Sequence, residues 1–351
     1  GRYPSSSRKI QSLKCMTSFK GRFAPPLPRK IYIDWMKIIG IYLVVAGHFF
    51  PIYNQYVYVV SAPLFFFISG FLSKIEKGSD LCTKIVRNLV FPMLFFVVIY
   101  FVEGIVTKTI REPSDVLRYW GGFLIGDQKI LKVCWFIYTL ILLKVLLQIV
   151  NDVRKSLVVL ILFIIIGYWL SAEGLYLQWS VANVVVAYPF FQTGFLFKKF
   201  VEPFLVRMDD MSLFPFILIL SVLLGIVFLS GYYNGAPMLY RNHFGENYFL
   251  YYVGGIAGTL LALIIAIKIK INNKILLTLS GGTIVILGFH SYAIRLISYV
   301  DTHYLDISNT GFIAYIWSVL IVVSFYPVIV VCSKYFPFIL GNRLKRNGVH
   351  P

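Results

Sequence analysis

The first apolar stretch of the chain, Ile31 to Tyr53, carries three ionisable residues suited to acid–base and anion-binding chemistry: Asp34, Lys37 and His48. Lys37 and His48 are eleven residues apart, so a helix puts them on one face, about 16 Å apart. Asp34 is three residues from Lys37 and on its face, the spacing of an intrahelical ion pair. Gly40 and Gly47 flank the stripe, where a missing side chain lets another helix or a ligand approach. A histidine near neutral pKa can take a proton as general base or form a covalent acyl adduct as nucleophile, and these residues leave both routes open. Ionisable groups inside a bilayer are costly unless they face protein or a wet cavity, so the stripe reads as one wall of a site.

The elements that position this stripe follow from composition. The chain has 351 residues, of which 58% are hydrophobic and 14% charged; a soluble protein would carry about a quarter charged residues. Apolar runs recur along its length, and the alternating pattern of an outer-membrane barrel is absent. The expected fold is all-α, a polytopic membrane bundle of about ten transmembrane helices, near 31–53, 56–73, 89–106, 134–150, 157–171, 181–197, 213–231, 248–267, 275–297 and 310–333. Residues 1–30 form a basic tail, 31–333 the transmembrane domain and 334–351 a second tail. The loop from Thr107 to Val133 is too short for an independent fold.

The net charge of +18 has a membrane explanation. With the amino terminus inside, 24 of the 33 Lys and Arg residues fall on one side, which places both termini in the cytoplasm and removes any need for nucleic acid. The four cysteines, Cys15, Cys82, Cys134 and Cys332, show no paired spacing, so neither disulfides nor a metal site is expected.

Depth then sorts the remaining polar residues. His48, His290, Arg295 and Glu103 fall in the outer half, with Trp135 and Asn183 at the outer edge, and together they are expected to line an outward-facing pocket. Lys37, Lys84, Arg87, Lys198 and Lys199 gather at the inner ends, enough cationic charge for a phosphorylated ligand. Plainer readings stand beside these. Lys84 and Arg87 also suit membrane anchors, Lys144 a snorkelling lysine, and Glu103 a structural partner of Arg118 or another loop cation.

At these residues the chain resembles acyltransferase family 3, integral membrane proteins, with most likeness to the fucose 4-O-acetylase and enterobacterial common antigen acetyltransferase branch. The family's first span has the form D-x-x-[RK]-x(10)-H, matched by Asp34, Lys37 and His48; its second resembles Pro63 to Leu72, PLFFFISGFL. Trp135-Phe136-Ile137 is similar to its fourth-span motif, and Gly281 to His290 to its late histidine-ending span. Many relatives carry Arg where this chain has Lys37. The resemblance implies a bacterial inner-membrane enzyme that moves an acyl group, usually acetyl from acetyl-CoA, to a hydroxyl of a cell-surface glycan or lipid-linked sugar. It implies catalytic roles for His48 and His290 and donor binding at Lys37 and Arg87, with Asp34, Ser69, Glu103 and Trp135 in support. A transporter or flippase using the same polar stripe is the rival reading.

Overall fold

The computed structural model describes residues 30–49, 52–76, 78–175, 177, 179–200, 211–241, 243–305 and 311–341. Every helix described here lies within residues 31–351. In chain order these are α1 (Ile31–His48), α2 (Asn54–Leu72), α3 (Gly78–Val106), α4 (Pro113–Leu124), α5 (Trp135–Ile149), α6 (Val153–Ala172), α7 (Val181–Phe200), α8 (Leu213–Asn234), α9 (Tyr248–Lys268), α10 (Lys274–Gly281), α11 (Thr283–Val300) and α12 (Ile313–Tyr335). No strand forms among the described residues, and nine of the helical segments there are long and apolar enough to cross a membrane. The helix α7, with 20 residues, is the tenth of the expected set; it covers about 30 Å and is buried along most of its length, including Asn183 and Gln192. Helices suit lipid because every backbone N–H and C=O is satisfied within the segment.

Three features depart from the expected spans. The third helix starts at Gly78, well before residue 89, and passes through a π-helical turn at Val86–Val90 that carries Arg87. The expected span 275–297 is two helices: α10 ends at Gly281, and α11 begins at Thr283 after a break at Gly282. The stretch 107–133 contains α4, started by a capping box between Glu112 and Asp115, with Tyr119 and Phe123 buried and the Tyr119 hydroxyl donating to Val97 O at 2.8 Å. Its apolar residues recur at helical spacing, Val116, Tyr119, Trp120 and Phe123, but at 12 residues it is too short to read as a span. Packing also continues past residue 334: Pro337–Leu340 forms a last turn whose Ile339 and Leu340 are buried.

The first two helices form an antiparallel pair. Tyr32 meets Phe71 and Gly47 meets Tyr58, so the Lys37 end of α1 lies beside the end of α2 and the His48 end beside its start. A Cβ on Gly40 would come within 3.0 Å of Phe65 and one on Gly47 within 2.9 Å of Tyr58. Of the two occupants expected at these glycines, a helix or a ligand, the helix is the one found. Ile33 and Met36 of α1 enter one apolar cluster with α2 and α9, while Ile41 and Val45 enter a second with α3, α5, α7, α11 and α12. The closest backbone approach joins α2 and α7. Gly70 lies against the carbonyl of Phe191, and Gly194 against the carbonyl of Phe67.

Substituting Val at Gly70 or Gly194 drives a side chain into a facing backbone carbonyl, a clash that no rotamer relieves. Each change is expected to cost about 1–3 kcal/mol of stability, read as a lower melting temperature and a smaller monodisperse yield in detergent. Gly121→Val, where a Cβ meets nothing within 4 Å, should change neither.

Candidate active site

Lys37, Ile41, Val44 and His48 occupy successive turns of α1, and all four line one cavity of about 740 Å³. Ser69 of α2, Arg87 of α3 and Trp135 of α5 line it too, so five of the eight residues singled out from the sequence share its wall. From α11 come Ile284, Leu287, Ser291 and Arg295, spaced three and four apart as one helical face requires. The break at Gly282 adds Ser280, Gly281 and Thr283 to the same wall. The size is that of a small-molecule site.

His48 is exposed, and the surface it exposes is cavity wall. Its Nδ1 lies 2.8 Å from Val44 O, one turn back on the same helix. A carbonyl only accepts, so Nδ1 carries the proton and Nε2 is left with its lone pair, the form a general base or nucleophile needs. Tyr58, also on the wall, donates its hydroxyl to Gly47 O at 2.6 Å and secures the end of α1.

Three of the expected residues stand one layer behind the wall. His290 is fully buried, its ring edge-on to His48 with centroids 4.6 Å apart, and its Nδ1 lies 2.8 Å from Leu287 O and 3.1 Å from Ile286 O. Asp34 is buried, accepts a hydrogen bond from the Ser280 hydroxyl, and lies 3.9 Å from Lys37 Nζ. Glu103 pairs with Lys132 at 2.8 Å and with Arg295 at 2.7 Å, and Tyr292 donates to it at 2.9 Å. Of the loop cations expected to partner Glu103, Lys132 rather than Arg118 does so, and Arg295 of α11 joins it. Asn183 is fully buried in α7 and does not line the cavity, nor do Lys198 and Lys199.

The two ends of the cavity differ in chemistry. The Lys37 end holds Arg87, Lys74, Lys84 and Lys144. Lys84 pairs with Glu76 at 2.6 Å, and Lys144 donates to Ser73 Oγ at 2.8 Å. Lys144 therefore faces the cavity, where a snorkelling lysine was expected; a lone cation midway through an apolar helix is the signal that marks it. The His48 end holds Tyr58, Tyr100, Lys132 and Arg295. Near that end but outside the spans, the Asp115 carboxyl is held below the usual carboxylate range by the backbone N–H groups of Arg111 and Glu112 that donate to it.

The profile described as an acyltransferase domain matches residues 30–333, nearly the whole of the helical unit. The chain belongs to acyltransferase family 3. No curated protein and no solved structure shows significant similarity to it. Membership supports acyl transfer by a membrane protein, and the cavity of about 740 Å³ carries on its wall a histidine whose tautomer is defined by its bond to Val44 O.

Wall and second layer are separable by thiol labelling. With Cys15, Cys82, Cys134 and Cys332 replaced by serine, Val44→Cys and His48→Cys should react readily with a small hydrophilic methanethiosulfonate. His290→Cys and Asn183→Cys should react slower by an order of magnitude or more. Equal rates at all four positions would overturn the layering.

Proposed function

We propose that this protein is a membrane-embedded O-acyltransferase that takes an acyl group, most simply acetyl, from cytoplasmic acyl-CoA and transfers it to a hydroxyl of a cell-surface or lipid-linked glycan. Within its family we assign it to the branch of the fucose 4-O-acetylases and enterobacterial common antigen acetyltransferases, in a bacterial inner membrane, with both termini cytoplasmic. The observation that carries the reading is the single cavity in which several cations at one end and His48 at the other share a wall.

In this mechanism Lys37 and Arg87, with Lys74, Lys84 and Lys144 beside them, hold the CoA phosphates through charge-assisted hydrogen bonds. The thin pantetheine arm runs along the cavity and brings the thioester to His48, about 16 Å from Lys37 along α1. A sugar hydroxyl is a weak nucleophile. His48 Nε2 takes its proton as the oxygen attacks the thioester carbonyl carbon, while the Nδ1–H bond to Val44 O stabilises the imidazolium that forms. The tetrahedral intermediate then collapses, the C–S bond breaks, and the imidazolium returns the proton to the CoA sulfur. His290 is a positioning residue in this scheme, fixing the His48 ring by edge-on contact. Asp34 and Ser280 place Lys37, and Ser69 and Trp135 shape the passage between the two ends.

The test is transfer or hydrolysis from radiolabelled acetyl-CoA by membranes containing the protein. His48→Ala should lower turnover by about a hundredfold or more without changing yield or melting temperature, and His290→Ala should lower it by less. Wild-type membranes that neither transfer nor hydrolyse would discard the enzyme reading in favour of transport through the same cavity.

Lys37 separates binding from chemistry. Lys37→Ala should raise the apparent KM for acyl-CoA more than it lowers kcat, and Lys37→Arg should be better tolerated because guanidinium also binds phosphate. If Lys37 serves only to neutralise Asp34, the double change Asp34→Asn with Lys37→Met should restore a normal donor KM, since no unpaired buried charge remains.

A further inference from the structure

The His48 end of the cavity is a cationic mouth that the chemistry above does not use. Lys132 and Arg295 stand on its wall, whereas the one carboxylate on the cavity wall among the described residues, Glu76, lies at the opposite end. Glu103 stands behind the mouth and takes one bond from each cation, 2.8 Å from Lys132 Nζ and 2.7 Å from Arg295 Nη1. Two positive charges set against one negative leave the mouth one charge in excess. An ammonium has three donors and a guanidinium five, so each cation keeps donors beyond the one given to Glu103.

The cluster is also held in place before any ligand arrives. Tyr292 donates to Glu103 at 2.9 Å, the Arg295 guanidinium lies 5.6 Å from the centre of the Tyr292 ring, and the Lys132 ammonium lies 4.8 Å from the centre of the Tyr100 ring. Lys132 has φ of 46°, a left-handed conformation that a side-chain-bearing residue keeps only where its surroundings impose it. Arg295 is five residues beyond His290 on α11, about 7 Å further along the axis from the histidine pair. Trp135 and Tyr240, with ring centroids 6.3 Å apart, put aromatic surface on the same wall. Aromatic faces beside preorganised charge-assisted donors suit a sugar that bears an anionic group.

We infer that the acceptor is an acidic glycan, whose carboxylate or phosphate is held by Lys132 and Arg295 so that a hydroxyl of the same or the adjoining sugar reaches His48 Nε2. The hydroxyl's fate rests on the acyl-transfer reading; the anion site does not.

Binding is therefore measured on the purified full-length protein in detergent, without acyl-CoA, using galacturonate trimer against its carboxyl-reduced counterpart and galactose 6-phosphate against galactose. Tighter binding of the trimer assigns a carboxylate and tighter binding of the sugar phosphate assigns a phosphate. Either preference should weaken as ionic strength rises. Lys132→Gln with Arg295→Gln should reduce it about tenfold, the equivalent of one charge-assisted hydrogen bond, whereas Lys155→Gln, an exposed cation outside the cavity, should leave it intact. Should the double variant fail to fold, Arg295→Gln alone carries the test, since that side chain is 64% exposed. No preference for either anionic probe overturns the inference, as does a preference that survives the Arg295 and Lys132 changes or is lost in Lys155→Gln. Acyl-CoA turnover is read separately on the same preparations. Loss of turnover in the wild type with the charge preference intact removes the transfer reading and leaves the anion site.

Discussion

A polar or charged side chain is kept within a bilayer only where protein or water replaces the solvation that lipid withholds. In this acyltransferase several of the groups that face the cavity with chemical capacity have another set behind them. His290 backs His48, Asp34 backs Lys37 and is held by Ser280, and Glu103 backs Lys132 and Arg295. Most of these pairs join helices distant in sequence, so the same contacts that make the cavity tolerable in lipid also fix the bundle around it. Removing Asp34 or Glu103 would leave a wall cation without its carboxylate.

The wall is also asymmetric in charge. Among the described residues seven cations line the cavity, Lys37, Lys74, Lys84, Arg87, Lys132, Lys144 and Arg295, against the single carboxylate of Glu76. Such a lining attracts anions along its whole length and focuses them because its walls are apolar. The two ends differ in what accompanies the charge: serine, glutamine and asparagine side chains near Lys37, aromatic rings near His48. The donor and the acceptor proposed above would then meet different surroundings at the two ends.

Geometry near His48 depends on rigid elements. The ring is bonded to Val44 of its own helix, and the helix end is tied down by Tyr58 from α2. Helix α11 supplies both the His290 ring and the Arg295 guanidinium, and its separation from α10 at Gly282 lets Ser280 meet Asp34 while the wall face of α11 continues upward. A site built on helices in this way is placed more sharply than one built on loops.

Much of this was legible in the sequence. Apolar run length determined the helices, because the bilayer sets how many residues a span needs, and helical periodicity determined that Lys37 and His48 share a face. Run length passed over α4, which at 12 residues is shorter than a span, and the break at Gly282, which hydropathy does not mark. What the tertiary structure alone decided is which helix stands opposite which. Depth arithmetic put His290, Glu103 and Asn183 at plausible heights, but height says nothing of azimuth. Packing turned His290 and Glu103 behind the wall, buried Asn183 away from it, and brought Lys132 and Lys144 onto it. One span's pattern gives a side chain its height and its face, and only the neighbouring helices decide whether that face meets lipid, another helix or the cavity.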